Sequence, residues 1–259
     1  MKTPVSLHKR VLQALTVVPL IVIALSGCGG GGGSDGAAPV VAVARDAVPA
    51  RSVNPEVVPL NAHFRGKTYG QWEASFWQWA LALPVAPLPH PFGDCQNRPI
   101  SAGQTGNVWY WSAPDRAPLT CDQSTTVIPA GTAIFLSMLD VEASSLDAPP
   151  FYATDASDQQ RIATTFAGYI SDLFCSIDGV TVNDLTAYRA TTGSFQFSAP
   201  TPWVFNQSGG SGTAAADGYF LMLKPLPPGP HRIHYGGTFH IPDGDVPKDV
   251  TLLITVGEY

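Results

Sequence analysis

Three histidines fall within ten residues near the end of the chain: His231, His234 and His240 in HRIHYGGTFH, with Asp243 and Asp245 just beyond in PDGD. Imidazole and carboxylate are the donors that zinc and other first-row metals accept, so residue type alone raises a metal here. If 231–236 is a strand, His231 and His234 point to opposite faces. The same-face pair is then His234 with His240, six apart, joined by Asp243 or by His90 from elsewhere in the chain. Such a site would support a metal-assisted hydrolase or a cupin-like activity. No spacing here is diagnostic of a ligand set. A strand carrying ordinary polar histidines accounts for the same residues, and the sequence favours it. Asp243-Gly244-Asp245 lacks the order and the closing Glu of a calcium loop and reads as a turn.

Two other groups of residues invite chemistry. In NVWYW, alternation sends Trp109 and Trp111 one way and Tyr110 the other. Flat rings stack on sugar faces, so Trp109 and Trp111 form a candidate aromatic face for a glycan or envelope polymer. As core residues each would instead bury roughly 150–250 Å², and the sequence favours core. Glu73 is the acid in the most apolar context, on a helix with polar positions to spare, and is expected to face solvent. No GxSxG, HExxH or phosphate-binding glycine loop occurs. Catalytic residues are therefore left unassigned, and no covalent cofactor is expected.

The chain has 259 residues, of which only 13% are charged, while Gly and Pro number 25 and 24. That composition suits short strands joined by turns better than a helical bundle. The formal charge is −6, with no basic cluster beyond residue 10. Phosphate backbones need clustered Lys and Arg, so nucleic acid is not an expected partner.

Lys2, Lys9 and Arg10 precede an apolar run from Val11 to Leu25, of a length that suits a signal sequence and is short for a membrane span. Leu25-Ser26-Gly27-Cys28 follows and resembles the lipobox of bacterial lipoproteins. The resemblance implies diacylglyceryl transfer to the Cys28 thiol, cleavage before it and acylation of the new amine. Two or three acyl chains give stable membrane attachment where one is marginal. Gly29, not Asp, follows the cysteine, which in a Gram-negative cell implies the outer membrane. Residues 1–27 read as the signal peptide, 28–58 as a lipidated cysteine and a flexible Gly/Ala/Pro-rich tether, and 59–259 as one domain. Without its signal the chain keeps 11 Lys and Arg against 20 Asp and Glu, a net charge of −9.

The elements that must position these residues begin at TYGQWEASFWQWALALP, residues 68–84. Thr68 and Gln71 have capping-box spacing, Trp72, Phe76, Trp79, Ala80 and Leu83 follow a helical stripe, and Pro84 stops the helix. In an exported protein Cys95 and Cys121 are the natural disulfide partners. Cys175 reads as free and buried, with pairing to either of those two as the alternative. Strands are read at 107–111, 132–139, 218–224, 231–236 and 249–256, with a hairpin turning at Asp178-Gly179. A second helix capped by Asp155 or Ser157 is expected to carry Ile162, Phe166, Tyr169, Ile170 and Leu173. NQSGGSGTAAAD, 206–217, reads as a Gly/Ser/Ala loop. Seven or eight strands with one or two helices predict a mainly β, antiparallel β-sandwich, jelly-roll-like.

WEASFWQWALALP, HPFGDCQ, GQTGNVWYW, IPAGTAIF, IDGVTV with LTAYR, and LPPGPHRIHYGGTF resemble an uncharacterised family of exported prokaryotic proteins, over residues 68–256. The resemblance implies an architecture and no catalytic residues.

Overall fold

The computed structural model describes residues 54–205 and 208–258. Cys28 and the segment read as a signal peptide lie outside them. Helix α1 spans Tyr69–Ala82. Its capping box is complete: Thr68 Oγ1 accepts from Gln71 N–H at 3.2 Å, and Thr68 N–H donates to Gln71 Oε1 at 2.9 Å. Leu83 turns extended ahead of Pro84, and the helix ends there. Its buried face carries Tyr69, Trp72, Glu73, Phe76, Trp77, Ala80 and Leu81.

The strands are β1 Val108–Trp111, β2 Leu119–Ile128, β3 Ala133–Ser144, β4 Ile170–Ile177, β5 Val180–Thr181, β6 Arg189–Thr191, β7 Phe195–Ala199, β8 Gly210–Leu223, β9 Gly229–Ile241 and β10 Gly244–Val256. Helix α2, Ala156–Ala167, lies between β3 and β4 in the chain. One sheet has the order β1-β3-β8-β6, with β7 also paired to β8; the other runs β2-β10-β9-β4-β5. The result is a mainly β sandwich, as the composition predicts, with mixed sheets. β1 runs parallel to β3 and β2 to β10, while every other pairing is antiparallel.

α1 packs on the first sheet through aromatic contacts. Phe76 meets Phe220 at 5.4 Å, Phe220 stacks on Phe135 at 5.0 Å, and Trp72 and Tyr69 approach Phe135 at 6.5 and 5.9 Å. Tyr69 Oη donates to Val58 C=O at 2.6 Å and accepts from Met222 N–H at 3.0 Å. That hydroxyl therefore ties the helix, β8 and the entering chain together. Val57 and Val58 are buried, and so is Asn54, so the packed domain takes in residues that the sequence assigns to the tether. Between the sheets Trp111 Nε1 donates to Tyr235 Oη at 2.9 Å. At the sheet edge the Gln104 side chain stands in for a missing strand, accepting from Tyr110 N–H and donating to Tyr110 C=O. The Cys95–Cys121 disulfide forms as expected and fastens the segment after α1 to β2. Cys175 is free and buried, and burial pushes its thiol up to about 12.

Two expectations are corrected. The second helix ends at Ala167 instead of continuing through Tyr169, Ile170 and Leu173, because β9 offers Ile170 a ladder partner in Phe239. An apolar run alone cannot separate a helix from a buried strand. From Gly210 on, the Gly/Ser/Ala stretch, read as a loop, is instead the leading half of the long strand β8. Its small residues are required by space: a Cβ at Gly218 would lie 2.4 Å from Asp140 Cβ. The Asp178-Gly179 hairpin is as read, both residues having positive φ, 51° and 82°.

Candidate functional site

The histidines do not converge. His90 is buried under α1, its Nε2 2.9 Å from Ala80 C=O and its Nδ1 accepting from Phe92 N–H. Burial pushes its pKa down to about 4, so the ring is neutral. His234 and His240 share a face of β9, as alternation requires, but six residues along a strand separate them by ~20 Å. Each is paired separately: His234 with Asp249 at 2.8 Å, His240 with Asp172 and Asp245, both at 2.8 Å. His231 contacts Asp178 at 2.7 Å. Asp243 sits in the exposed turn between β9 and β10. Among the described residues no three His, Cys, Asp or Glu side chains are grouped to hold a metal ion. The two carboxylates flanking His240, Asp172 foremost, raise its pKa above the ordinary histidine value. An NMR titration of the imidazole is expected to show this, and the double substitution Asp172→Asn, Asp245→Asn to bring the midpoint back down. An unmoved midpoint would mean that these exposed carboxylates do not hold the ring.

The aromatic face is also corrected. Trp109 and Trp111 are both buried, and Tyr110 packs on the opposite side against Phe76 and Trp79. With the core on one face and α1 on the other, neither tryptophan is open to a ligand.

What the structure assembles instead is a row of buried carboxyl groups beneath α1. A bulge in β3 between Ser137 and Leu139 reverses the alternation, so Asp140 and Glu142 face the same way as Phe135 and Ser137, toward the helix. From above, Glu73 descends into the same layer with no solvent exposure, correcting the expectation that it faces water. Neither carboxyl oxygen of Glu73 meets a hydrogen-bond donor, nor does Asp140 Oδ2, and Glu142 has only the Asp147 carboxyl as a partner. Ser137 donates to the other oxygen of Asp140, and Ser144 Oγ donates to Asp147 Oδ2 at 2.8 Å. Glu142 lies against Asp147, and two carboxylates in contact hold only with a proton between them.

Burial is the main cause of the raised pKa values throughout this row. It pushes Asp140 and Asp147 up to about 7 and Glu73 and Glu142 well above the carboxylate range. The nearby cations are engaged elsewhere: Arg189 grips Asp217 at 2.7 Å, and Lys248 reaches Asp115 at 3.3 Å. Burial thus favours the protonated form along the row. A signal for it exists in the sequence: in TAIFLSMLDVEAS the acids interrupt a run apolar on both sides, so they must be buried with it.

Beside this row the last turn of α1, the start of β8, strand β7 and the chain just after β3 enclose an open groove of about 640 Å³. Gln78 and Ala82 come from the helix, Ser145 from the chain after β3, and Gln196, Ser198, Ser211 and Thr213 from the strands. Gln78 Nε2 donates to Gln196 C=O at 2.9 Å and locks the helix end to β7. Glycine is needed at position 212, where a Cβ would stand 2.8 Å from Ser145 Oγ and 3.0 Å from Phe197 Cε1. Nothing in the sequence marks these residues in advance, since they come from four separate stretches.

These features define a two-sheet β-sandwich with one helix on the outer face of a sheet and a polar groove at that helix's end. No protein-family model, no curated protein and no solved structure matches the chain.

Proposed function

We propose that this chain is a lipid-anchored, extracytoplasmic ligand-binding module of the bacterial cell envelope, held to the membrane through Cys28. The observation that carries the binding part is the groove, whose volume of about 640 Å³ falls in the roughly 300–1,000 Å³ range of small-ligand sites. Leu25-Ser26-Gly27-Cys28 supports the anchor, and Gly29 supports an outer-membrane destination in a Gram-negative cell. The Cys95–Cys121 disulfide is consistent with an oxidising compartment outside the cytoplasm. Among the described residues no side-chain placement favours metal-assisted hydrolysis at His234 and His240, since His234 pairs with Asp249 alone and His240 with Asp172 and Asp245.

The anchor is tested by Cys28→Ser followed by fractionation. The wild type is expected in the membrane fraction, labelled by a radioactive fatty acid; the variant is expected to lose the label. A variant that kept the label would refute lipidation at Cys28.

A further inference from the structure

We propose that the groove at the end of α1 takes an uncharged saccharide chain, gripped by carboxamides and hydroxyls instead of stacked on aromatic rings. The inference rests on reading the groove as a ligand site and adds the chemical class of its ligand.

Charge comes first. Among the described residues no Asp, Glu, Lys, Arg or His lines the groove. A phosphate or carboxylate would find no counter-charge there, and the chain's net charge of −6 disfavours anions further. A cationic ligand would find no carboxylate. About half of the lining surface is apolar, drawn from Ala82, the Phe197 ring and side-chain stems and interleaved with polar groups, a mixture that the C–H and O–H groups of a sugar match better than an acyl chain does.

Hydrogen-bonding capacity comes next. Gln78 spends its Nε2 on Gln196 C=O, which leaves its Oε1 to accept. The Gln196 side chain is exposed and brings both a donor and an acceptor. Ser145 Oγ accepts from Thr213 N–H at 3.0 Å and keeps its own proton to donate. Thr213 Oγ1 accepts from Gln159 at 3.0 Å and likewise keeps its proton. Ser198 and Ser211 place two more hydroxyls 3.4 Å apart. Donors and acceptors are thus interleaved across one surface, and a sugar hydroxyl, which does both, matches that pattern.

A peptide added as a strand is disfavoured by the main chain. Thr213 N–H and C=O are already taken by Ser145, and Gln196 C=O by Gln78. A strand added along these groups would have to displace those bonds. The open shape suits one side of a polymer better than an enclosed small molecule.

The full lipidated chain, in a zwitterionic detergent without a sugar headgroup, is titrated calorimetrically with tetramers of β-1,4-glucose, α-1,4-glucose and β-1,4-N-acetylglucosamine. A galacturonate tetramer and an uncharged Gly/Ser/Ala heptapeptide are run in parallel. At least one neutral tetramer is expected to bind, with Gln196→Ala and Gln78→Ala each weakening it at least tenfold while circular dichroism stays unchanged. Gln196→Asn, which keeps the carboxamide, is expected to lose less. Galacturonate or peptide binding that depends on Gln196, without neutral-sugar binding, would overturn the ligand class and leave the groove as a site. Neutral-sugar binding untouched by all three variants would overturn the groove. No binding of any probe at millimolar concentration would overturn both.

Discussion

Raising the pH from 6.5 to 8.5 is expected to lower the melting temperature of this protein sharply, and Glu142→Gln or Glu73→Gln to flatten that fall. Glu73 and Glu142 hold protons in the folded state well above the range where the unfolded chain has released them. A group whose folded pKa is raised contributes stability fully present below its unfolded pKa, and that contribution is lost as pH rises through the folded value. The loss therefore begins near pH 4. For Asp140 and Asp147 it is complete above about 7; for the two glutamates it continues further. Each buried carboxyl that keeps its proton while its unfolded counterpart is ionised costs about 1.4 kcal/mol per pH unit. In a domain of this size that is roughly 3–5 °C per pH unit for each such group.

His90 works in the opposite direction. Held neutral with a pKa near 4, it adds stability as pH rises toward the unfolded histidine value and nothing beyond it. The interval above pH 6.5 is thus free of its effect. Scanning calorimetry at several pH values on the wild type and the two variants measures the slopes directly. Equal slopes in all three would mean that the carboxyl row is hydrated and ordinary.

Removing the disulfide is expected to produce the other large effect. Cys95→Ala with Cys121→Ala releases a link across 26 residues, for which the chain-entropy relation gives about 3.5 kcal/mol. The melting temperature should fall by roughly 10 °C. The damage extends past the sulfurs: Gln123, from β2, donates to Cys95 C=O at 2.6 Å and accepts from Ile100 N–H at 2.7 Å. Releasing residue 95 loosens that buried amide and the loop that backs Trp79. Full reduction, verified by mass, should lower the melting temperature of the wild type and leave the double variant where it was. A reduced wild type melting at its oxidised temperature would show that the bond adds nothing to stability.

The helix bears on both the groove and the carboxyl row. Gln78 forms part of one groove wall, while Glu73, little more than a turn earlier, sits in the row. The capping box and the aromatic stripe set where that helix starts and which face it buries. Beside Asp140 in the row the facing strand carries Gly218, where a Cβ would lie 2.4 Å from Asp140 Cβ, so this layer has no room for a side chain there.

The sequence by itself determined the parts governed by nearest neighbours and by simple pairing. Thr68, Gln71 and Pro84 delimit α1, Asp178-Gly179 dictates a hairpin, Cys95 and Cys121 find each other, and the composition sets a mainly β class. These depend on backbone sterics, local hydrogen bonds and counting, all of which are written along the chain. Only the tertiary structure decided the rest. β8 is a strand because β3, β6 and β7 supply its ladder partners, although its glycines and alanines read as a loop. The second helix stops where β9 offers pairing instead. One bulged residue in β3 aims Asp140 and Glu142 at the helix rather than at the other sheet, and no local rule places such a bulge. His234 and His240 share a face as alternation demands, yet the rise of an extended strand keeps them too far apart to share a ligand. The groove draws on residues from 78 to 213, and it exists only once the helix end, two strands and the chain after β3 have been packed together.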